Sequence, residues 1–171
     1  WLEYKANIWV WIVGAIMPMV HGVLYLESGI YADAAMQLYY VAAGIYGLAV
    51  WRRKPKRSDD GVIRRTPRSW IFPLVVVYAL LHVALYFLLV EFTDSRVPLF
   101  DSMSTALSIV AMWMLSRKLV EQWLVWLVVD MISVGLYLYK GLPITAMLYM
   151  LYCALAVAGY MRWRKQVLIK S

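Results

Sequence analysis

Trp11-Ile-Val-Gly14-Ala-Ile-Met-Pro18 and Trp123-Leu-Val-Trp126-Leu-Val-Val-Asp130 stand 112 residues apart, and that offset decides how the chain folds. It runs on without a gap. Trp1 pairs with Trp113, Tyr25 with Tyr137, Gly29 with Gly141 and Tyr40 with Tyr152. Gly47 pairs with Gly159, Trp51 with Trp163 and Arg52 with Arg164. Over residues 1–53 against 113–165, 14 of 53 pairs are identical. Apolar matches are expected between any two hydrophobic helices, but a spaced Trp, Tyr and Gly pattern is not. The chain is a duplicated unit, and internal duplication in a membrane protein points to transport.

Composition puts that unit in a bilayer. Hydrophobic residues make up 64% of the chain and charged ones 16%, with 9 Trp and 13 Tyr. A soluble domain sits nearer half apolar and a quarter charged. The single Cys, Cys153, excludes a disulfide framework, and no Cys/His cluster has metal-ligand spacing. No Walker A loop or Gly-x-Ser-x-Gly elbow is present, so neither ATP-driven nor enzymatic chemistry has a motif, and no cofactor is expected.

Six apolar stretches are long enough, or nearly so, to cross a bilayer as helices: 8–26, 30–50, 70–92, 99–115, 119–139 and 142–161. The net charge of +7 invites a nucleic-acid reading, but its placement argues against one. Alternating sides along these spans, 15 of the 17 basic residues fall on one face, leaving only Arg96 and Lys140 on the other. By the positive-inside rule the long basic loop 52–68 and the C-terminus are cytoplasmic. Anionic-lipid or partner binding is the competing use of the basic residues. Residues 1–5 align with 113–117, the cytoplasmic end of the fourth span, so they are expected to end a preceding helix that lies outside this sequence. Restoring it makes an all-α polytopic bundle, three helices plus one linker plus three, with parallel internal repeats of the kind SWEET transporters carry. The expected divisions are a first repeat at 1–53, a basic cytoplasmic loop at 54–69 and a linker helix at 70–92. A second repeat at 97–165 and a tail at 166–171 follow.

The residues also carry a family pattern. Trp123-Leu-Val-Trp126-Leu-Val-Val-Asp130, Leu136-Tyr-Leu-Tyr-Lys-Gly-Leu142, Thr145-Ala146, Leu148-Tyr149, Tyr152 and Gly159-Tyr-Met-Arg-Trp163 resemble the C-terminal half of PnuC-type vitamin transporters. Tyr31-Ala-Asp33, Gln37, Tyr39-Tyr40, Ile45-Tyr46-Gly47 and Trp51 resemble the N-terminal half. The resemblance implies a bacterial inner-membrane facilitator with a SWEET-like fold, assembled as a homotrimer. It further implies a vitamin substrate (nicotinamide riboside, thiamine, riboflavin or a nucleoside) that a cytoplasmic kinase traps after energy-independent entry. The nicotinamide riboside branch often carries Asn near the position of Asp130, and this chain departs from that.

Asp130 is the most pointed residue, because an ionisable group near the middle of a span is a functional-site hypothesis by default. Trp123, Trp126 and Asp130 follow i, i+3, i+7 spacing and share a helical face. Two aromatic faces beside a carboxylate suit a flat organic cation, either pyridinium or thiazolium, with about 2 kcal/mol available from a desolvated cation–π contact. The structural alternative pairs Asp130 with hydroxyls between helices and puts Trp123 in an interfacial belt. Gln37 and Tyr40 occupy repeat positions equivalent to Tyr149 and Tyr152, so each half can present a polar-aromatic face to a central cavity, or pack those rings between helices. The partners of Trp126 and Asp130 in the first half are Gly14 and Pro18, an asymmetry that fits a small asymmetric substrate.

The remaining polar residues have structural readings beside functional ones. Asp101, Ser104, Thr105 and Ser108 share a face and either wet an entrance or bond a neighbouring helix. Asp33 complements a helix N-terminus. Glu121 steers a cation at the exit or is an ordinary interfacial acid. His21 and His82 are expected to be hydrogen-bonded helix contacts, since a proton relay needs a partner the sequence does not place. A facilitator for nicotinamide riboside is the leading reading, with thiamine uptake beside it. The others are a proton-coupled carrier built on Asp130 and a non-transporting membrane component.

Overall fold

A computed structural model describes residues 2–27, 31–52, 63–92, 97–139 and 141–170. Gly29, Lys140, Asp94, Arg96 and most of the basic loop lie outside the described residues, as do the side chains of His21, Tyr25 and Asp33. Among the described residues there are six helices: α1 (Trp9–Glu27), α2 (Tyr31–Arg52), α3 (Arg68–Phe92), α4 (Pro98–Ser116), α5 (Gln122–Tyr139) and α6 (Pro143–Lys170). Helices close their backbone hydrogen bonds internally, which a segment in lipid requires. Pro98 and Pro143 each open a helix at the first position, where a missing N–H costs nothing. Gly141, at φ 71°, closes α5, with Gly141 N–H donating to Leu138 O and Leu142 N–H to Tyr137 O.

Every expected span is helical, but only four helices are long and apolar enough to cross a membrane among the described residues. These are α3, α4, α5 and the Pro143–Leu168 stretch of α6. In α1 the described apolar run is shorter, Trp9–Val20. Two boundaries also differ from expectation. Helix α6 runs past Met161 to Lys170, because no Gly or Pro follows Gly159 to stop it. Helix α5 starts at Gln122 because Lys118, at φ 54°, turns the chain first.

That turn is itself repeated. Ala6 N–H donates to Glu3 O at 2.8 Å and Asn7 N–H to Leu2 O at 2.9 Å. At the aligned positions Lys118 N–H donates to Leu115 O at 2.9 Å and Leu119 N–H to Met114 O at 3.1 Å. Val10 and Trp11 then donate to Asn7 O and Ile8 O, as Gln122 and Trp123 do to Leu119 O and Val120 O. Among the described residues, the non-glycine positions at positive φ are Ala6 (51°) and Lys118 (54°), which are aligned partners. This is the Schellman pattern of hydrogen bonds that reverses a chain after a helical turn. The duplication read from side chains is therefore also a duplication of backbone geometry.

The chain divides into two compact units, Trp1–Val62 with Leu115–Lys118, and Ile63–Met114 with Leu119–Ser171. In the first unit α1 packs on α2. Trp11 is buried, and a Cβ added at Gly47 would collide with its ring. Trp51 meets Trp11 edge-on, with centroids 5.7 Å apart at 84°. The Trp51 indole N–H donates to Ser116 O at 3.0 Å, and the Lys118 ammonium lies 4.4 Å from the Trp51 ring centroid. Such an approach needs small residues, as in many membrane helix pairs.

In the second unit α5 packs on α6 by the same device. A Cβ at Gly159 would lie 2.5–2.6 Å from the Trp123 ring, and Trp163 meets Trp123 edge-on at 5.7 Å and 89°. Helix α3 lays Trp70, Leu74, Tyr78 and Leu81, spaced as one helical face, against Val110, Met114 and Leu119. Its other faces carry exposed Phe72, Leu80 and Phe87, which suits contact with lipid tails.

Adding a methyl at Gly47 or Gly159 forces a Trp ring out of its slot. Gly47→Ala and Gly159→Ala should each destabilise by about 1–3 kcal/mol, the usual overpacking cost. Gly135 has no heavy atom within 4 Å of its virtual Cβ, so Gly135→Ala should leave stability equal or higher. Thermal midpoints of detergent-solubilised protein, followed by size exclusion, read the difference. Equal midpoints for all three variants would refute the wedge.

Candidate substrate-binding site

Helix α5 turns one side inward. Gln122, Trp123, Val129, Asp130 and Ser133 are buried, and half-buried Trp126 falls between them on the same face. Asp130 is only 6% exposed, although its neighbour Met131 is 54% exposed, so the helix hides its acid and shows its apolar flank. Trp126 keeps a buried indole N–H with no acceptor. Tyr137 extends the face two turns beyond Asp130.

Helix α6 brings the aromatic partners. Tyr149 stacks on Tyr137, with centroids 5.2 Å apart and planes 15° from parallel, and the two phenols share a side-chain hydrogen bond. Tyr152 meets Tyr149 edge-on at 5.6 Å and 77°. Tyr149 and Cys153 both lie within electrostatic reach of Asp130. Of the expected site residues, Asp130, Tyr149 and Tyr152 are thus brought together within one unit. Tyr137 and Cys153 join them without having been singled out as site residues. For Tyr137 a signal was present, since it lies at i+7 from Asp130 and recurs at Tyr25 in the other repeat. For Cys153 only the tertiary contact reveals it.

Trp123 has a different post from Trp126. Its ring is the wedge over Gly159 against Trp163, the position Trp11 takes in the other repeat, so its recurrence reflects packing. Gln37 and Tyr40 lie on α2 in the first unit, both half-buried, with Tyr40 edge-on to Tyr39 at 5.5 Å.

Several polar residues have structural roles. His82 Nδ1 lies 3.1 Å from Ser102 Oγ, and that hydroxyl donates to Leu99 O at 2.9 Å. His82 therefore donates to Ser102 and stacks on Tyr78 at 5.8 Å, a helix contact as expected. Ser108 donates to Ser104 O of its own helix at 2.9 Å. Among the described residues, no group of three or more His, Cys, Asp or Glu could hold a metal ion.

Glu121 is a clasp. Its Oε2 accepts from both the backbone N–H and the hydroxyl of Thr66 at 2.7 Å each. Beside it, Val120 N–H donates to Arg64 O at 3.0 Å, and Arg64 and Leu119 form an isolated parallel bridge. The segment ahead of α3 is held in this way to the turn ahead of α5.

A model of the nicotinamide mononucleotide transporter family matches residues 1–165. The chain belongs to that family. Among relatives, the nicotinamide riboside transporter PnuC of Escherichia coli (strain K12) is 27% identical, over 88% of this chain and 73% of the relative. The PnuC of Neisseria mucosa is 25% identical, over 95% of this chain and 66% of the relative. The riboflavin/roseoflavin transporter RibM of Streptomyces davaonensis is 27% identical, over 95% of this chain and 77% of the relative. A crystal structure of the vitamin B3 transporter PnuC superposes with a TM-score of 0.74 at 22% identity, covering 99% of this chain and 77% of that one. The two share a fold. The family is one of membrane transporters, and these relatives are named as transporters rather than enzymes.

Glu121→Ala removes both bonds to Thr66 and should destabilise by about 2 kcal/mol, within the range for hydrogen bonds to a charged group. Thr66→Val keeps the backbone donor and should lose less. Hydrogen exchange at the Thr66 amide should accelerate in Glu121→Ala; unchanged exchange would refute the clasp.

Proposed function

We propose that this family member carries nicotinamide riboside into the bacterial cell by facilitated diffusion. The observation that carries the reading is a buried acid, Asp130, on one α5 face with Trp126 and in reach of Tyr149. An uncompensated carboxylate in a low-dielectric site is costly, and a bound organic cation offsets that cost. The pyridinium ring lies against Trp126, its charge balanced by Asp130, while the phenols of Tyr137, Tyr149 and Tyr152 meet the ribose. Gln37 and Tyr40 hold the repeat positions equivalent to Tyr149 and Tyr152. Trp123 acts behind Trp126 as the wedge that orients it.

The working arrangement is three helices, a linker helix and three helices, with parallel repeats in the inner membrane and the C-terminus in the cytoplasm. It assembles as a homotrimer. Entry is passive, and a cytoplasmic kinase traps the product. Thiamine, also a flat cation, fits the same acid and ring, and a carrier coupled to protons through Asp130 is the energised alternative. A second reading, riboflavin, has an observation of its own: a relative named for riboflavin and roseoflavin transport matches 95% of this chain. Riboflavin is neutral, so it makes no use of a charged Asp130.

Titration by quenching of Trp fluorescence separates these readings. Nicotinamide riboside should bind saturably, and Asp130→Leu, which removes charge and hydrogen-bonding capacity together, should weaken it about tenfold, equivalent to about 1.4 kcal/mol. Riboflavin binding that is indifferent to Asp130→Leu, with no nicotinamide riboside binding, would overturn the reading. In vesicles without kinase, uptake should equilibrate and be unaffected by an uncoupler; collapse would favour proton coupling.

A further inference from the structure

Gln122 is another buried polar side chain of α5, and nothing above gives it work. Gln122 is 0% exposed, yet neither its Oε1 nor its Nε2 meets a hydrogen-bonding partner. Buried amides are nearly always paired, and an orphaned one is destabilising. The duplication supplies an internal control. At the aligned position the first repeat has Val10, in the same turn with the same backbone hydrogen bonds. The fold therefore has no need of an amide at this place.

We propose that Gln122 reads the substrate, pairing its amide with a donor–acceptor edge, a carboxamide, of a flat cation lying along α5. The inference rests on the reading of Asp130 and Trp126 as a cation site. Gln122, Trp126 and Asp130 succeed one another at i, i+4 and i+8, one above the other on a single face. They span about 12 Å, with Trp126 about 6 Å from each end. A ring against Trp126 can then turn its charge towards Asp130 and its amide towards Gln122. Trp126 adds an unpartnered indole N–H between them. A glutamine amide offers one acceptor and two donors, so it forms a paired contact with a carboxamide. A carboxylate at the same place on the ring supplies no donor and leaves Gln122 Oε1 unmet. Sites of this kind reject analogues that lack the matching group.

The test compares nicotinamide riboside with nicotinic acid riboside, which carries a carboxylate in place of the carboxamide. Full-length protein in detergent is titrated with each by Trp fluorescence. Wild type should prefer the amide by about tenfold, the weight of one hydrogen bond. Gln122→Met, similar in size but apolar, should lose that preference and bind the amide about tenfold more weakly. Its ligand-free thermal midpoint should be equal to or above that of wild type, because an orphaned amide is gone. Gln122→Asn, one methylene shorter, should show the same loss of preference and serves if the Met variant does not fold. A wild-type preference retained in the variants would overturn the proposal, as would a wild type with none. Failure of wild type to bind either riboside would instead sink the cation-site reading, and this inference with it.

Discussion

Each repeat depends on a tryptophan laid flat where a glycine has left room. Trp11 over Gly47 and Trp123 over Gly159 bring a helix pair close enough that no side chain, not even a methyl, fits between ring and backbone. A second Trp meets each ring edge-on at 5.7 Å, the geometry that sets the positive edge of one ring against the negative face of the other. Lipid tails are as apolar as leucine, so burial of apolar surface does little to pair helices in a bilayer. Shape complementarity has to do it instead. The wedge is that complementarity, and it fixes which side of α5 turns towards α6.

With α5 held in that rotation, its polar groups come to lie inside. Gln122, Asp130 and Ser133 are buried while Leu124, Val128 and Met131 are exposed. The two tryptophans of the Trp-x-x-Trp run therefore do different work. The Trp123 ring fills the slot over Gly159 and recurs as Trp11 in the other repeat, whereas Trp126 has Gly14 opposite it in the alignment; the indole N–H of each is buried without an acceptor. Duplication built the frame, and divergence at Trp126, Asp130 and Gln122 made one half chemically distinct from the other.

Elsewhere, polar side chains are spent on keeping the ends of helices in order. Glu121 takes both donors of Thr66, Trp51 caps a carbonyl at the end of α4, and Ser108 and Ser102 bond back to their own helix. His82 belongs to this group through its contact with Ser102. Glu121 stands beside Gln122 in sequence, yet Glu121 Oε2 takes two donors while neither amide atom of Gln122 meets a partner.

Much of this was legible in the chain itself. The 112-residue offset, the apolar runs and the Trp, Tyr and Gly spacing determined helices, their rough limits and the duplication, because periodicity and the need to satisfy backbone groups in lipid are local properties. The shared face of Trp126 and Asp130 followed from helical geometry alone. The sequence could not say which of two tryptophans fills the slot over Gly159, that Tyr137 stacks on Tyr149, or that Glu121 finds Thr66. Those facts join residues separated by 12 to 55 positions, and only the approach of one helix to another brings them within bonding distance. Tertiary structure alone showed Gln122 to be buried without a partner, because whether a polar atom is satisfied depends on every neighbour around it and on no property of its own.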